Sequence, residues 1–171
     1  MIKYWLIADL HFGHNNIIKY CNRPFKDVDE MDNAIVNNWN SVVNDKDLVY
    51  VLGDVSFYGK EKTKELISRL KGYKLLVIGN HDRRKTKTWW HDVGFNFVFD
   101  EPIEVYGYVL SHEPFVEKEH LYNDLNNIHA HLHNDEHRYK TGELHKNKYK
   151  CVSAELFDYT PIEFDKLVKK W

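Results

Sequence analysis

The apolar positions fall into three short, nearly continuous runs, residues 2–8, 48–52 and 75–78, each rich in β-branched or aromatic side chains. Continuous rather than alternating runs of this length predict strands covered on both faces. Between them the period changes. Met31, Ile35, Trp39 and Val42 recur at helical spacing, with Asp27 or Asp29 placed to cap the helix. Residues 60–70 put Leu66, Ile67 and Leu70 on one face and charges on the other, an amphipathic helix. Strands separated by helices predict right-handed βαβ units around a parallel sheet. Beyond residue 95 the pattern shifts to short strand-like runs, 95–99, 103–110 and 128–132, with a last one over 148–156. A mixed sheet or a second sheet is therefore expected. Thr160-Pro161-Ile162-Glu163 has the form of a capping box with proline at the first helical position, opening a final helix to about Lys170. No internal repeat or linker divides the chain, so residues 1–171 read as one domain.

Composition narrows the class. Charged residues make up 29% and hydrophobic residues 43%, ordinary for a globular protein, and the net charge of −2 lacks the basic excess of a dedicated nucleic-acid binder. No apolar run approaches the ~20 residues that span a bilayer. The first strand ends in a carboxylate instead of a signal-peptide cleavage site, so a cytoplasmic location is expected. Cys21 and Cys151 show no metal-type spacing and read as free thiols. The unusual number is 11 histidines, common metal ligands.

Chemistry concentrates where strands stop. The first run ends in Asp9-Leu10-His11, the second in Gly53-Asp54, the third in Gly79-Asn80-His81-Asp82. Open α/β sheets bind ligands beyond the carboxyl ends of their strands, so these segments should converge. Ser111-His112-Glu113 and His129-Ala130-His131-Leu132-His133 join them. Asp9 and His11, like His131 and His133, are two apart, and on extended backbone both side chains of a pair would face one way. Gly53 and Gly79 allow sharp turns that aim the next side chain inward. An asparagine oxygen in a set with aspartate and histidine suits manganese or iron better than a closed structural zinc site.

In this order the segments resemble the signature of the calcineurin-like metallophosphoesterases: Asp9-Leu10-His11, Gly53-Asp54, Gly79-Asn80-His81-Asp82, His112, and Ala130-His131-Leu132-His133, with alanine where the family usually has glycine. The stretch from Asp9 to Asn16, followed by Arg23-Pro24-Phe25, resembles a small bacterial and phage branch. The resemblance implies the metallo-dependent phosphatase fold, an α/β/β/α four-layer sandwich of two mixed sheets flanked by helices. It implies two divalent metal ions, manganese first, with iron, nickel, zinc or magnesium as alternatives. Asp9, His11, Asp54 and His133 would hold one ion; Asp54, Asn80, His112 and His131 the other. His81 and Asp82 would be the catalytic residues, His81 acting on the phosphate and Asp82 orienting or charging its neighbourhood.

The activity so implied is a metal-dependent phosphoesterase, and specifically a phosphodiesterase using in-line attack by a hydroxide that bridges the metals. The alternatives are a phosphomonoesterase with a small phosphorylated substrate, and a partner-binding scaffold on the same fold. The filled ligand positions argue against the scaffold, and the segment Gly53-Asp54-Val55-Ser56-Phe57-Tyr58 lacks the Asp-Arg-Gly of the Ser/Thr protein phosphatases. Arg23 and His14 are the substrate-binding candidates, with a plain surface arginine as the other reading of Arg23. The basic runs around Arg83-Arg84-Lys85-Thr86-Lys87 and Lys146, Lys148 and Lys150 would either steer a nucleotide or nucleic-acid end or form solvated faces. His91, His120, His137 and His145 sit in polar segments and read as surface residues; His129 shares the alternation of His131 and His133 but finds the ligand set already full. Trp39, Trp89 and Trp90 read as packing. The expected assembly is a monomer or homodimer without a membrane partner.

Overall fold

The structure is a computed structural model that describes residues 1–115 and 125–169. His120 and the end of the last helix near Lys170 lie outside the described residues.

The three apolar runs form parallel neighbours. Strand β1 (Tyr4–Ile7) is followed by helices α1 (Asn15–Tyr20) and α2 (Val28–Val42), strand β2 (Leu48–Val51), helix α3 (Lys60–Ser68) and strand β3 (Tyr73–Val77). Tyr4 lies opposite Leu48 and Leu48 opposite Tyr73, so the three strands end level with one another. Trp5, Ile7, Val49, Val51 and Leu76 enter one buried cluster, whereas Leu6, Ala8, Tyr50, Leu52, Leu75 and Val77 enter another. Alternate residues of each strand thus feed two separate cores, which is why the runs read as continuously apolar.

The first core lies under helices. Asp27 caps α2 by accepting the Glu30 amide at 2.8 Å, and Met31, Ile35 and Trp39 are buried one turn apart. A helix not foreseen from the sequence, α4 (Lys87–Val93), closes this side. Thr86 caps it by accepting the Trp89 amide at 3.1 Å, while Trp90 and Val93 turn inward. The run Arg83-Arg84-Lys85-Thr86-Lys87 is thus partly a helix start. Lys87 pairs with Asp100 at 2.6 Å and Lys85 lies over the Trp89 ring.

Strand β4 (Phe97–Phe99) extends the parallel sheet beside β3. The run 103–110 is two strands, β5 (Ile103–Val105) and β6 (Tyr108–Leu110), folded back at Tyr106-Gly107, both of which have positive φ. Strands β7 (Asn126–His129) and β8 (Tyr149–Cys151) add in parallel, giving a second sheet in the order β5-β6-β7-β8. Between them lies the short helix α5 (His137–Lys140). The 148–156 run is a three-residue strand followed by a 3-10 turn over Ala154–Phe157.

The capping box at Thr160 does not form. Ile162–Glu163 is strand β9, antiparallel to β1 at the edge of the first sheet, and helix α6 (Phe164–Val168) starts only after it. The Glu163 carboxylate binds Lys3 and Lys166, both at 3.2 Å, instead of reaching back to a helix start. The first sheet is therefore β4-β3-β2-β1-β9.

The second core lies between the sheets, where Ile128, Ala130 and Val152 meet Leu6 and Leu52. An isolated parallel bridge from Ala8 to Ser153 fastens the two sheets at the site end. On the outer face of the second sheet Tyr139 of α5 covers His129. The result is the expected mixed α/β architecture of two sheets flanked by helices, with a thin fourth layer.

Candidate metal centre

Past the strand ends the chains keep their pairing. The Asp9 amide donates to Gly53 O and the His11 amide to Asp54 O, both at 3.0 Å. Two glycines let the loops after β2 and β3 touch. A Cβ on Gly79 would lie 2.3 Å from Asp54 Oδ1, and one on Gly53, whose φ is +85°, would lie 2.5 Å from His112 Nδ1. Gly79 is thus required for close approach, not for the turn expected of it.

The backbone that aims the candidate ligands is left-handed. Asp9, His11, Asp54, His131 and His133 have φ between 50° and 70°. The paired geometry of Asp9 with His11 and of His131 with His133 therefore comes from left-handed turns and not from extended strand. Each such residue costs about 1–2 kcal/mol, a strain that clusters where surrounding structure holds it and function uses it. Ala130, in the family's glycine position, is not among the positive-φ residues and fits without that strain.

Two sets of donor atoms converge. In the first, His11 Nε2 and His133 Nε2 both lie 3.9 Å from Asp9 Oδ1, and His11 Nε2 lies 3.6 Å from Asp54 Oδ2. Asp9 Oδ1 and His11 Nε2 are buried with no hydrogen-bond partner among the described residues. Burial raises the pKa of Asp9, although the charges of His133 and His112 oppose it, and burial holds His11 well below its ordinary value. An unpaired buried carboxylate oxygen facing the lone pair of the neutral His11 ring is an arrangement a cation satisfies.

The second set is Asn80 Oδ1, His112 Nε2 and His131 Nδ1. The two ring nitrogens lie 2.8 and 3.1 Å from Asn80 Oδ1. His112 Nδ1 donates to Leu52 O at 2.7 Å, so in the neutral ring Nε2 carries a lone pair. A lone pair of His112 facing the Asn80 oxygen at 2.8 Å is an arrangement that a cation between them relieves. Asp54 Oδ1 is 3.6 Å from His112 Nε2, so the Asp54 carboxylate reaches both sets. The ligating atoms of Asp9, His11 and His133, and again those of Asp9, Asp54 and His112, lie within 4.8 Å of one another. The hard oxygens and imidazoles present therefore fit divalent metal ions.

His81 stands at the rim. Its amide donates to Asp54 Oδ1 at 3.0 Å, its Nε2 is 3.8 Å from Asp54 Oδ2, and its side chain is 46% exposed. Beside it is an aromatic residue that sequence reasoning missed. The Phe57 ring stacks on His14 at 4.0 Å and lies 5.0 Å from the His81 ring. His14, a substrate-binding candidate, is held there, its Nδ1 3.3 Å from His11 Nδ1.

Two candidates have other roles. Asp82 does not face the site opening. It is buried, and its carboxylate accepts the amides of Asp54 at 2.7 Å, Val55 at 3.0 Å and Gly79 at 2.9 Å, locking the loops together. Burial and the nearby Asp54 charge push its pKa up to about 6 despite those bonds. Arg23 is neither a surface residue nor a substrate clamp. Its guanidinium is buried, bonded to Asp9 O at 2.7 Å, Leu10 O at 3.0 Å and Glu155 Oε1 at 2.6 Å. With its donors so engaged, it supports the candidate ligands from behind.

Glu155 and Ser153 were also missed. Glu155 Oε1 accepts from His133 Nδ1 at 2.9 Å, and Ser153 Oγ donates to Asp9 Oδ2 at 2.5 Å. The signal was available: both follow the end of β8, the kind of place that revealed the other segments. Burial lowers the pKa of His133, but hydrogen bonds to Cys21 and Glu155 and the Asp9 charge outweigh it, leaving it raised to about 10. His129 turns away. Its Nδ1 bonds Ala130 O at 2.9 Å and its Nε2 the Tyr139 hydroxyl at 2.5 Å. The second basic cluster is interleaved with acids, Arg138 with Glu143 and Lys146 with Glu136. Trp39 and Trp90 are core residues, as expected. Among the described residues no helix is long and apolar enough to cross a membrane.

The chain is 39% identical, over 175 aligned positions covering 99% of it and 91% of the relative, to the uncharacterized protein MJ1445 of Methanocaldococcus jannaschii. It is 38% identical to the Gene 66 protein of Mycobacterium phage L5 over 85 residues, 48% of this chain and 41% of the phage protein. The crystal structure of the protein of unknown function AQ665 from Aquifex aeolicus superposes with a TM-score of 0.76 at 25% identity, covering both chains fully. The Metallophos description, calcineurin-like phosphoesterase, matches residues 2–170, and the chain belongs to that family of metal-dependent hydrolases of phosphoric esters.

Proposed function

We propose that the protein is a phosphodiesterase working with two divalent cations, manganese first among them. The observation that carries this is the pair of converging donor sets that share Asp54. Asp9, His11, Asp54 and His133 would hold one cation and Asp54, Asn80, His112 and His131 the other. Asp9 and Asp54 bring two negative charges and the histidines none when neutral, so two divalent cations leave about two positive charges for a phosphate. When bound, such a pair neutralises phosphate oxygens and acidifies water at neutral pH.

The chain's own residues supply the rest. Asp54, fixed by the His81 amide, holds the two positions at one spacing. His81, half exposed at the rim, is placed to meet a phosphate oxygen and to hand a proton to the leaving oxygen. Phe57 and His14, stacked on each other, wall one side. Preference for a diester is supported by open space on two sides. His112 borders a cleft of about 320 Å³ with Arg83 and Phe115 on its wall, and His133 borders one of about 240 Å³ with Tyr139 and Tyr149. A diester carries a substituent on each side of phosphorus, a monoester only one. Nucleotides and nucleic-acid ends are the substrates to try first.

The test is an assay of metal-stripped protein, reloaded with Mn²⁺, on a chromogenic phosphodiester and the matching monoester. Faster Mn²⁺-dependent cleavage of the diester is expected. A monoester preference would make the protein a phosphomonoesterase, and no turnover of either would overturn the proposal.

A further inference from the structure

The two donor sets are supported in different ways. Behind His112 the support is backbone, its Nδ1 donating to Leu52 O at 2.7 Å, and the His131 amide donates to Asp9 Oδ2 at 3.1 Å. Behind Asp9, His11 and His133 it is a buried ion pair. Glu155 Oε1 receives His133 Nδ1 at 2.9 Å, Arg23 Nε at 2.9 Å and Arg23 Nη2 at 2.6 Å. The same guanidinium holds the backbone oxygens of Asp9 and Leu10. The Arg23 side chain is 0% exposed and that of Glu155 4%.

A carboxylate at one nitrogen of an imidazole fixes the ring's orientation, commits the other nitrogen to the metal and strengthens it as a donor. Here that carboxylate is in turn fixed by an arginine that also grips the backbone carrying Asp9. Two ligand-bearing segments more than a hundred residues apart in sequence are thereby registered by one side-chain pair. Resting on the two-cation reading, we infer that Arg23 and Glu155 are positioning residues that set the cation affinity of the Asp9–His11–His133 position far more than that of the Asn80–His112–His131 position, which they reach only through Asp9.

One rival use of these atoms exists. The ligating atoms of Cys21, His133 and Glu155 also lie within 4.8 Å of one another, as a cation site of their own would require. The guanidinium in contact with Glu155 opposes it, because a cation there would face a second positive charge with little solvent to screen it.

The test is a Mn²⁺ titration of metal-stripped protein, with free Mn²⁺ counted by electron paramagnetic resonance, on wild type, Glu155→Gln, Arg23→Lys and Cys21→Ser. Wild type should bind two equivalents. Glu155→Gln should weaken one equivalent by about 10- to 100-fold and the other far less. Arg23→Lys keeps the charge but not the fork, so it should weaken the same equivalent less, and it stands in if Glu155→Gln does not fold. Equal weakening of both equivalents would reduce the pair to general structural support and overturn the inference, as would no weakening. Loss of the same equivalent in Cys21→Ser would make Glu155 a ligand rather than a positioning residue. A wild type that binds one equivalent refutes the two-cation reading and, with it, the selectivity claimed here.

Discussion

The two sheets build their halves of the site by different means. The first sheet supplies Asp9, His11, Asp54 and Asn80 from three level parallel strands, and its loops stay hydrogen-bonded to one another beyond the strand ends. The second supplies His112, His131 and His133 from strands of three and four residues. Its backbone pairing also continues past the strand ends, the Ala130 amide donating to His112 O and the Val152 amide to His129 O, both at 2.8 Å, but His131 and His133 lie beyond those bonds and are steadied by carboxylates. Asp9 accepts the His131 amide at 3.1 Å, and Glu155 holds His133. In the first sheet backbone pairing reaches the candidate ligands themselves, with the Asp82 carboxylate added as a lock between loops, whereas in the second the last two histidines depend on side chains.

Asp54 is where the halves meet, so its loss should have the largest effect. Asp54→Asn should lower turnover by on the order of a thousandfold and release both metal equivalents, read by steady-state kinetics with elemental analysis. His81→Ala, in the same assay, should retain the metals and still lose turnover. If Asp54→Asn keeps its metals, the halves are independent and the comparison breaks.

Gly79→Ala should come next. The added Cβ lies 2.3 Å from Asp54 Oδ1, so that carboxylate must move, and a displacement of roughly 1 Å in a catalytic group can cost about a hundredfold in kcat. Far-UV circular dichroism should stay unchanged while kcat falls. An unchanged kcat would show that the loop contact in the first sheet is slack, contrary to the lattice argued above.

The smallest effect sharpens the contrast within the second sheet, between His129, which faces away, and the two histidines after it. Burial lowers the His129 pKa from 6.5 to about 4. Below 6.5 the unfolded chain takes up a proton that the folded chain refuses, so stability present above 6.5 is lost as pH falls toward about 4. The stability advantage of wild type over His129→Gln, measured by urea unfolding of metal-free protein, should shrink between pH 7 and 4 by roughly 2–3 kcal/mol. A pH-independent difference would mean that His129 is not shielded from water.

Much of this was legible in the sequence because it is local. Continuous apolar runs identified β1, β2 and β3, and a change of period identified α2 and α3. The ordered strand-end segments led to the family before any distance was known. The misses have physical reasons. Helix α1 buries only Ile17 and so has no apolar period to read, and α4 begins inside a basic run whose capping residue, Thr86, is unremarkable beside its charges. Ile162 and Glu163 carry a helix-start signal that the free edge of β1 and two lysines override.

The sequence by itself determined the order of the elements, the family and which polar residues end the strands, since hydrophobic period and motif spacing are properties of neighbouring residues. Only the tertiary structure decided what supports them. Arg23 read as a surface or substrate arginine and is a buried strut. Asp82 read as catalytic and is the acceptor that locks two loops. Glu155 was unremarked and holds His133. Each of these roles depends on a contact between residues far apart in sequence, 14 positions for Arg23 with Asp9, 28 for Asp82 with Asp54 and 132 for Arg23 with Glu155, which no local pattern encodes and only the packing of strand-end loops against one another brings about.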